Sequence, residues 1–166
     1  LFRSAKVDSV DFNWLTEAAR ANGLMTPADG AAYHHERMNA TPEAYGADVL
    51  QRLRTGAAYT STEYALARRT QTESKRRMAR FFEEYDLLIL PSTAVTAPLI
   101  EGPDAVEQAK LLTRFTAPFN LTGLPALSLP CGYTQKKLPI GLQIVSAAWQ
   151  EKKVLEAGYA YEQGMK

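Results

Sequence analysis

The chain has 166 residues, 46% hydrophobic and 22% charged, the size and composition of about one soluble globular domain, which excludes disordered and fibrous classes. Its 19 basic and 18 acidic residues leave a net charge of +1, too little to draw in nucleic acid or an anionic membrane, so neither is expected as a partner. A lone cysteine, Cys131, closes no internal disulfide, and no run approaches the roughly 18 apolar residues of a membrane span, so a cytoplasmic location is expected.

The first hundred residues read as helices. Asp11 is placed to cap a helix carrying Phe12, Leu15, Ala18 and Ala19 at helical spacing, with Gly23 to end it. Thr26-Pro27 and Thr41-Pro42 each put a hydroxyl before a proline at the first helical position, predicting two further starts. The second leads into Val49, Leu50 and Leu53, and Gly56 interrupts it. Ser61 opens the longest pattern, with Tyr64, Ala67, Gln71, Ser74, Met78, Phe81 and Tyr85 on one face of a helix reaching about Tyr85. Its other face carries Arg68, Arg69, Lys75, Arg76, Arg77 and Arg80, interspersed with Glu63, Glu73, Glu83 and Glu84, which reads as a solvated face rather than an RNA-binding one.

The character changes at Asp86. Leu87 to Leu90 is a short apolar run closed by Pro91, as in a strand buried on both faces, with neighbours on each side. A loop rich in Pro, Ser and Thr follows, and then Asp104 and Glu107 resemble a capping box for a short helix ending near Leu112. Ala126 to Cys131 alternates, with Leu127, Leu129 and Cys131 on one face, and Pro130 predicts an edge or a bulge. Ile140 to Ser146 alternates likewise, and Tyr133 to Lys137 joins the two as a hairpin. A final helix runs from about Glu151 to Glu162, with Val154, Leu155 and Tyr159 expected against the sheet. The fold class is therefore α/β, helices packed on a few strands that include a carboxy-terminal hairpin. Three strands are few for this many helices, so part of the sheet is expected to be missing.

Little of this carries chemistry by itself. His34-His35-Glu36 lacks the spacing of a metal-binding helix, and no metal or cofactor is expected. Seven serines and ten glycines include no Gly-x-Ser-x-Gly turn and no adjacent glycines, so neither a nucleophile elbow nor a glycine-rich phosphate loop is present. No residue of the chain is accordingly assigned as catalytic. If Leu87 to Leu90 is a parallel strand, Ser92, Thr93 and Thr96 lie past its carboxyl end, where open α/β sheets place ligands. Thr116 to Gly123 leads into the next strand, where Gly123 and Pro125 would fix a tight path lining the same crevice. Both loops are equally readable as connecting turns.

At these residues the sequence resembles the carboxy-terminal portion of the amidase signature family. The resemblance is carried by DLLILPSTAVTAP, FTAPFNLTGLPALSLPCG and LPIGLQIVSAAWQEKKVLEAGYAYE, with AAYHHE and YGADVLQRLRTGAAYTSTEYALARR upstream. It implies a partial α/β/α fold and hydrolysis of carboxylic amides through an acyl-enzyme, with an attacking serine, a second serine that relays the proton and a lysine base. Those groups belong to a lysine segment and a glycine- and serine-rich loop that this sequence does not contain. Residues 1–166 are thus expected to be one unit, the carboxy-terminal part of an amidase domain, inactive alone and partnered by a missing amino-terminal half. The resemblance also implies a small amide substrate walled by Ser92, Thr93, Thr116, Pro118 and Asn120. It matches Arg52 to an arginine that contacts glutamine in the glutamine-hydrolysing members, the tRNA amidotransferases. Those members carry an aspartate where this chain has Thr113, which favours a general amidase over a glutamine-hydrolysing enzyme. A free-standing interaction module is the reading from another class. Apolar surface left by a missing half predicts homodimers or larger association.

Overall fold

The structure, a computed structural model, describes residues 5–99, 108 and 111–165. Helix α1 (Leu15–Tyr33) is followed by α2 (His35–Ala40), a 3-10 turn at Pro42–Ala44, α3 (Ala47–Ala57) and α4 (Ser61–Glu84). Strand β1 (Leu88–Pro91), the short helix α5 (Ala117–Thr122), the hairpin β2 (Ala126–Tyr133) and β3 (Pro139–Val145), and α6 (Glu151–Gly164) complete it. The expected capping box at Asp104 and Glu107 lies outside the described residues, whereas Gln108, Leu111 and Leu112 are helical.

The sheet runs β1-β3-β2, and both pairings are antiparallel. One face meets the helical layer through Met78, Leu88, Phe119 and Val145, flanked by Phe81, Phe82 and Leu90. The opposite face joins Leu129 and Ile144 to Val154 of α6, with Leu87, Leu127, Ala157 and Tyr161 around them. A third cluster, Ala18, Ala21, Met25, Ala67 and Leu121, lies within the helical layer. The arrangement is the expected α/β/α layering in small form.

Several local expectations change. The predicted stop at Gly23 and restart at Thr26-Pro27 merge into one helix with Pro27 inside it, and Trp14, not Asp11, is the N-cap. Burial explains the merger. Ala18, Ala21, Met25 and Ala31 are buried on both sides of Pro27, and α1 packs on α3, α4 and α5, enough contact to outweigh the ~3 kcal/mol cost of an interior proline. Gly56 does not interrupt α3 but lies within it, because a Cβ there would come 1.9 Å from the Pro27 carbonyl oxygen. Only glycine allows the two backbones to approach so closely. The expected start at Thr41-Pro42 opens only the 3-10 turn, with Pro42 at its first position; the Thr41 hydroxyl donates to the Arg37 carbonyl and closes α2, and Gly46 is the N-cap of α3.

The long helix is as expected, with Ala67, Ser74 and Met78 buried along the predicted stripe. Its start is fixed one residue earlier, by a capping box in which Thr60 Oγ1 accepts from the Glu63 N–H and the Glu63 carboxylate accepts from the Thr60 N–H at 2.8 Å. The Thr60 N–H, and after it the Thr60 hydroxyl, which donates to the same carboxylate oxygen at 2.7 Å, hold the Glu63 carboxyl below its ordinary pKa.

Strand β1 is antiparallel rather than parallel, no strand pairs with its outer edge among the described residues, and Ile89 is 39% exposed, so the run is not buried on both faces. Pro130 sits where expected, on an edge strand with a register shift between Pro130 and Gly132. On α6, Val154 is buried as predicted, but Leu155 and Tyr159 are 61% and 66% exposed. The inward stripe instead joins Val154 to Ala157, Gly158 and Tyr161, and Gly158 admits Leu127, whose Cδ2 would lie 2.3 Å from an added Cβ.

Candidate functional site

The polar end of the helix-facing sheet surface is built by strand register. Leu90, Gln143 and Ser128 lie in one cross-strand row. Ser92 extends the ladder one step past β1, its N–H donating to the Gly141 carbonyl at 2.8 Å. The Ser92 hydroxyl is buried and lies 2.5 Å from the Ser128 hydroxyl, across β3. Gly141 makes this contact possible, since a Cβ there would come 2.7 Å from Ser92 Oγ and 3.3 Å from Ser128 Oγ. Next to this pair, the Thr93 hydroxyl donates to the Val95 carbonyl at 2.7 Å and shapes the loop as it leaves the sheet.

The α5 segment lies against the same surface. Gln143 is 3% exposed, and its amide donates to the Phe115 carbonyl at 3.0 Å. Thr116 follows as the N-cap position of α5, with its hydroxyl 3.3 Å from the Thr113 carbonyl it donates to. Within α5, Ala117, Pro118, Phe119, Leu121 and Thr122 are all buried and Asn120 alone is exposed. A short helix buried everywhere except at one asparagine presents that side chain outward. Pro118 is fully buried and gives a ligand no surface within this chain. Gly123, at φ +71, ends the helix in the left-handed conformation glycine favours, and the Pro125 carbonyl accepts from the Ser146 N–H at 3.2 Å.

The register and the Gln143 bond therefore bring Ser92 and Thr93 to the sheet end on which the α5 segment is anchored just before Thr116, and Asn120 lies one turn further along α5. Arg52 is not part of it: it is exposed on α3, which packs chiefly on α1. Ser128, Gln143 and Gln71 join the site only in the structure. A signal exists in the sequence for two of them, since Ser128 and Gln143 are polar interruptions in otherwise apolar alternating strands.

Chemically, the region offers hydroxyl and amide groups. Among the described residues no serine or cysteine hydrogen-bonds to a histidine, lysine or carboxylate. Ser92 pairs with Ser128, the Cys131 thiol faces the Ile140 carbonyl at 3.4 Å, and His34 Nδ1 pairs with the Tyr45 hydroxyl at 3.1 Å. No group of three or more His, Cys, Asp or Glu among the described residues could hold a metal, and none of their helices is long and apolar enough to cross a membrane. A shallow depression lined by Lys75, Thr122, Gly123 and Trp149 opens beyond the far end of α5. A second, lined by Asp29, Gly56, Tyr59 and Tyr64, lies between helices away from the sheet.

Comparison with known proteins adds a frame. The amidase family model matches residues 4–155. The A-type component of the glutamyl-tRNA(Gln) amidotransferase of Acaryochloris marina is 39% identical over 131 residues, covering 75% of this chain and 27% of that protein. An amidase of Pseudomonas putida is 36% identical over 147 residues, 84% of this chain and 31% of the relative. Among solved structures, an amidase crystal structure superposes with a TM-score of 0.77 at 24% identity, covering 90% of this chain and 36% of that one. The corresponding amidotransferase component of Thermotoga maritima gives 0.69 at 25% identity, covering 90% and 32%. This chain thus spans about a third or less of the length of the curated relatives it matches.

Proposed function

The chain belongs to the amidase family, and from that premise we propose that it is the carboxy-terminal part of an enzyme that hydrolyses small carboxylic amides to acid and ammonia or amine. The nucleophilic serine, the relaying serine and the lysine base lie on sequence outside these 166 residues. In the reaction, the serine oxygen adds to the amide carbonyl, the amine leaves with a proton, and water then cleaves the acyl-enzyme. Ser92, Thr93, Thr116 and Asn120 form part of the pocket wall against which the acyl group is oriented, and Arg52 contributes at most from a neighbouring surface.

The observation that carries this reading is the polar sheet end itself, a built surface with no nucleophile–base pair among the described residues, in a chain that covers 31% of an amidase relative. The open edge of β1 and the exposed Ile89 are consistent with further sheet contributed by the missing part. Labelling the protein encoded by the complete reading frame with a serine-directed fluorophosphonate tests it. The label is expected on a serine upstream of Leu1, within a glycine- and serine-rich loop; label on a serine of this chain, or a frame that starts at Leu1, overturns the proposal. The second reading, part of a glutamine-hydrolysing amidotransferase, is favoured by the 39% identity to the Acaryochloris marina protein and opposed by Thr113 in place of the aspartate. Ammonia release that depends on glutamine selects it.

A further inference from the structure

Two glutamines converge on the α5 segment from different layers. Gln143, on the central strand, donates to the Phe115 carbonyl just before the helix, at 3.0 Å. Gln71, on α4, donates to the Leu121 carbonyl near its end, at 2.9 Å. The orientation of the Gln71 amide is itself fixed, because its oxygen accepts from Arg68 Nη1 at 2.7 Å, which turns the NH2 toward Leu121. Between these two points Phe119 is 2% exposed and packs with Met78, Leu88 and Val145.

A helix of six residues has too few internal bonds to hold its own position. Here the segment is pinned at its centre by an aromatic ring and at both ends by amides reaching from the sheet and from α4. The carbonyls so held bracket Thr116 and Asn120. We propose that Gln71 and Gln143 are positioning residues that set the placement of Thr116 and Asn120 in the substrate pocket, an inference that rests on the amidase reading for what those two residues face. Neither glutamine touches substrate. Each acts through a backbone carbonyl, so its loss lets the wall move without removing a reacting group.

Hydrogen exchange and kinetics, both on the complete enzyme, test the idea together. In Gln143→Met, of similar length and without a donor, the amides of residues 115–123 are expected to exchange roughly tenfold faster, while those of α6 keep their rates. Gln71→Met reports the same effect from the more accessible side should Gln143→Met fail to fold. In the complete enzyme, KM for the amide is expected to rise roughly tenfold with kcat nearly unchanged. Unchanged exchange over residues 115–123, an equal rise across every helix, or a fall in kcat at constant KM overturns the proposal. If the complete enzyme hydrolyses no amide, the amidase reading falls, while the exchange rates still decide whether the glutamines hold the segment.

Discussion

Replacing Gly56 with alanine tests the packing of the helical layer at its closest point. The new Cβ would lie 1.9 Å from the Pro27 carbonyl oxygen, 2.3 Å from its carbon and 2.8 Å from the Ala28 nitrogen. All three are backbone atoms, so no side chain can swing aside, and α1 and α3 must separate by about 1 Å or more. Overpacking of this kind costs ~1–3 kcal/mol, and a blocking group made only of backbone belongs at the upper end. Alanine regains ~1 kcal/mol of helix propensity, which leaves a net loss of about 2 kcal/mol. For a domain of this size that lowers Tm by roughly 4–8 °C. Gly23→Ala in α1 is the control, since its Cβ would meet nothing within 4 Å, and it should be neutral or stabilising by up to ~1 kcal/mol. Urea denaturation followed by far-UV circular dichroism measures both. Gly56→Ala at or above wild-type stability would refute the close-crossing argument, whatever Gly23→Ala does.

Ser128→Ala removes the partner of the buried Ser92 hydroxyl and should cost about 1 kcal/mol in the same assay. Thr60→Ala, which dismantles the cap of α4, should cost a similar amount, about 1 kcal/mol. The carboxyl of Glu63 is held below its ordinary value of 4.5, chiefly by the Thr60 N–H and then by its hydroxyl. A carboxyl so depressed contributes fully above pH 4.5 and loses that contribution as pH falls through its native value; Thr60→Ala keeps the N–H and loses only the hydroxyl's smaller share, so the gap between wild type and Thr60→Ala should narrow by that share on acidification below pH 4.5, and a constant gap contradicts this. By itself, the 166-residue chain should sediment as dimers or larger species, and Leu155→Lys with Tyr159→Lys, both on the exposed face of α6, should shift it toward monomer.

The sequence is most legible where one periodicity dominates. The stripe from Tyr64 to Met78, the alternation of β2 and β3, and the proline-induced bulge at Pro130 each follow from a local rule with nothing to oppose it. It misleads where tertiary contact overrides local chemistry. Gly23, Pro27 and Gly56 are all helix breakers by propensity, yet all three lie inside helices. Burial of α1 against its neighbours outweighs the local cost, and Gly56 is the residue that lets α1 and α3 cross closely. Leu155 and Tyr159 read as inward on apolarity alone, whereas the glycine at position 158 marks the true contact, a contact visible only once Leu127 is placed against it. At the candidate site, Ser92, Thr93 and the α5 segment can be singled out from loop position and family resemblance. The pairing of Ser92 with Ser128 across Gly141 cannot, since it depends on strand register, and register is set by hairpin geometry and by the third strand.

The proposed division of labour places a pocket wall on this chain and the catalytic engine on sequence outside it. It is tested most directly by measuring ammonia release from a short aliphatic and an aryl amide with the 166-residue chain and with the protein encoded by its complete reading frame, side by side at equal concentration. Turnover by the complete protein and none by the chain alone is expected. Turnover by the chain alone, abolished by a serine-directed inhibitor, would contradict it.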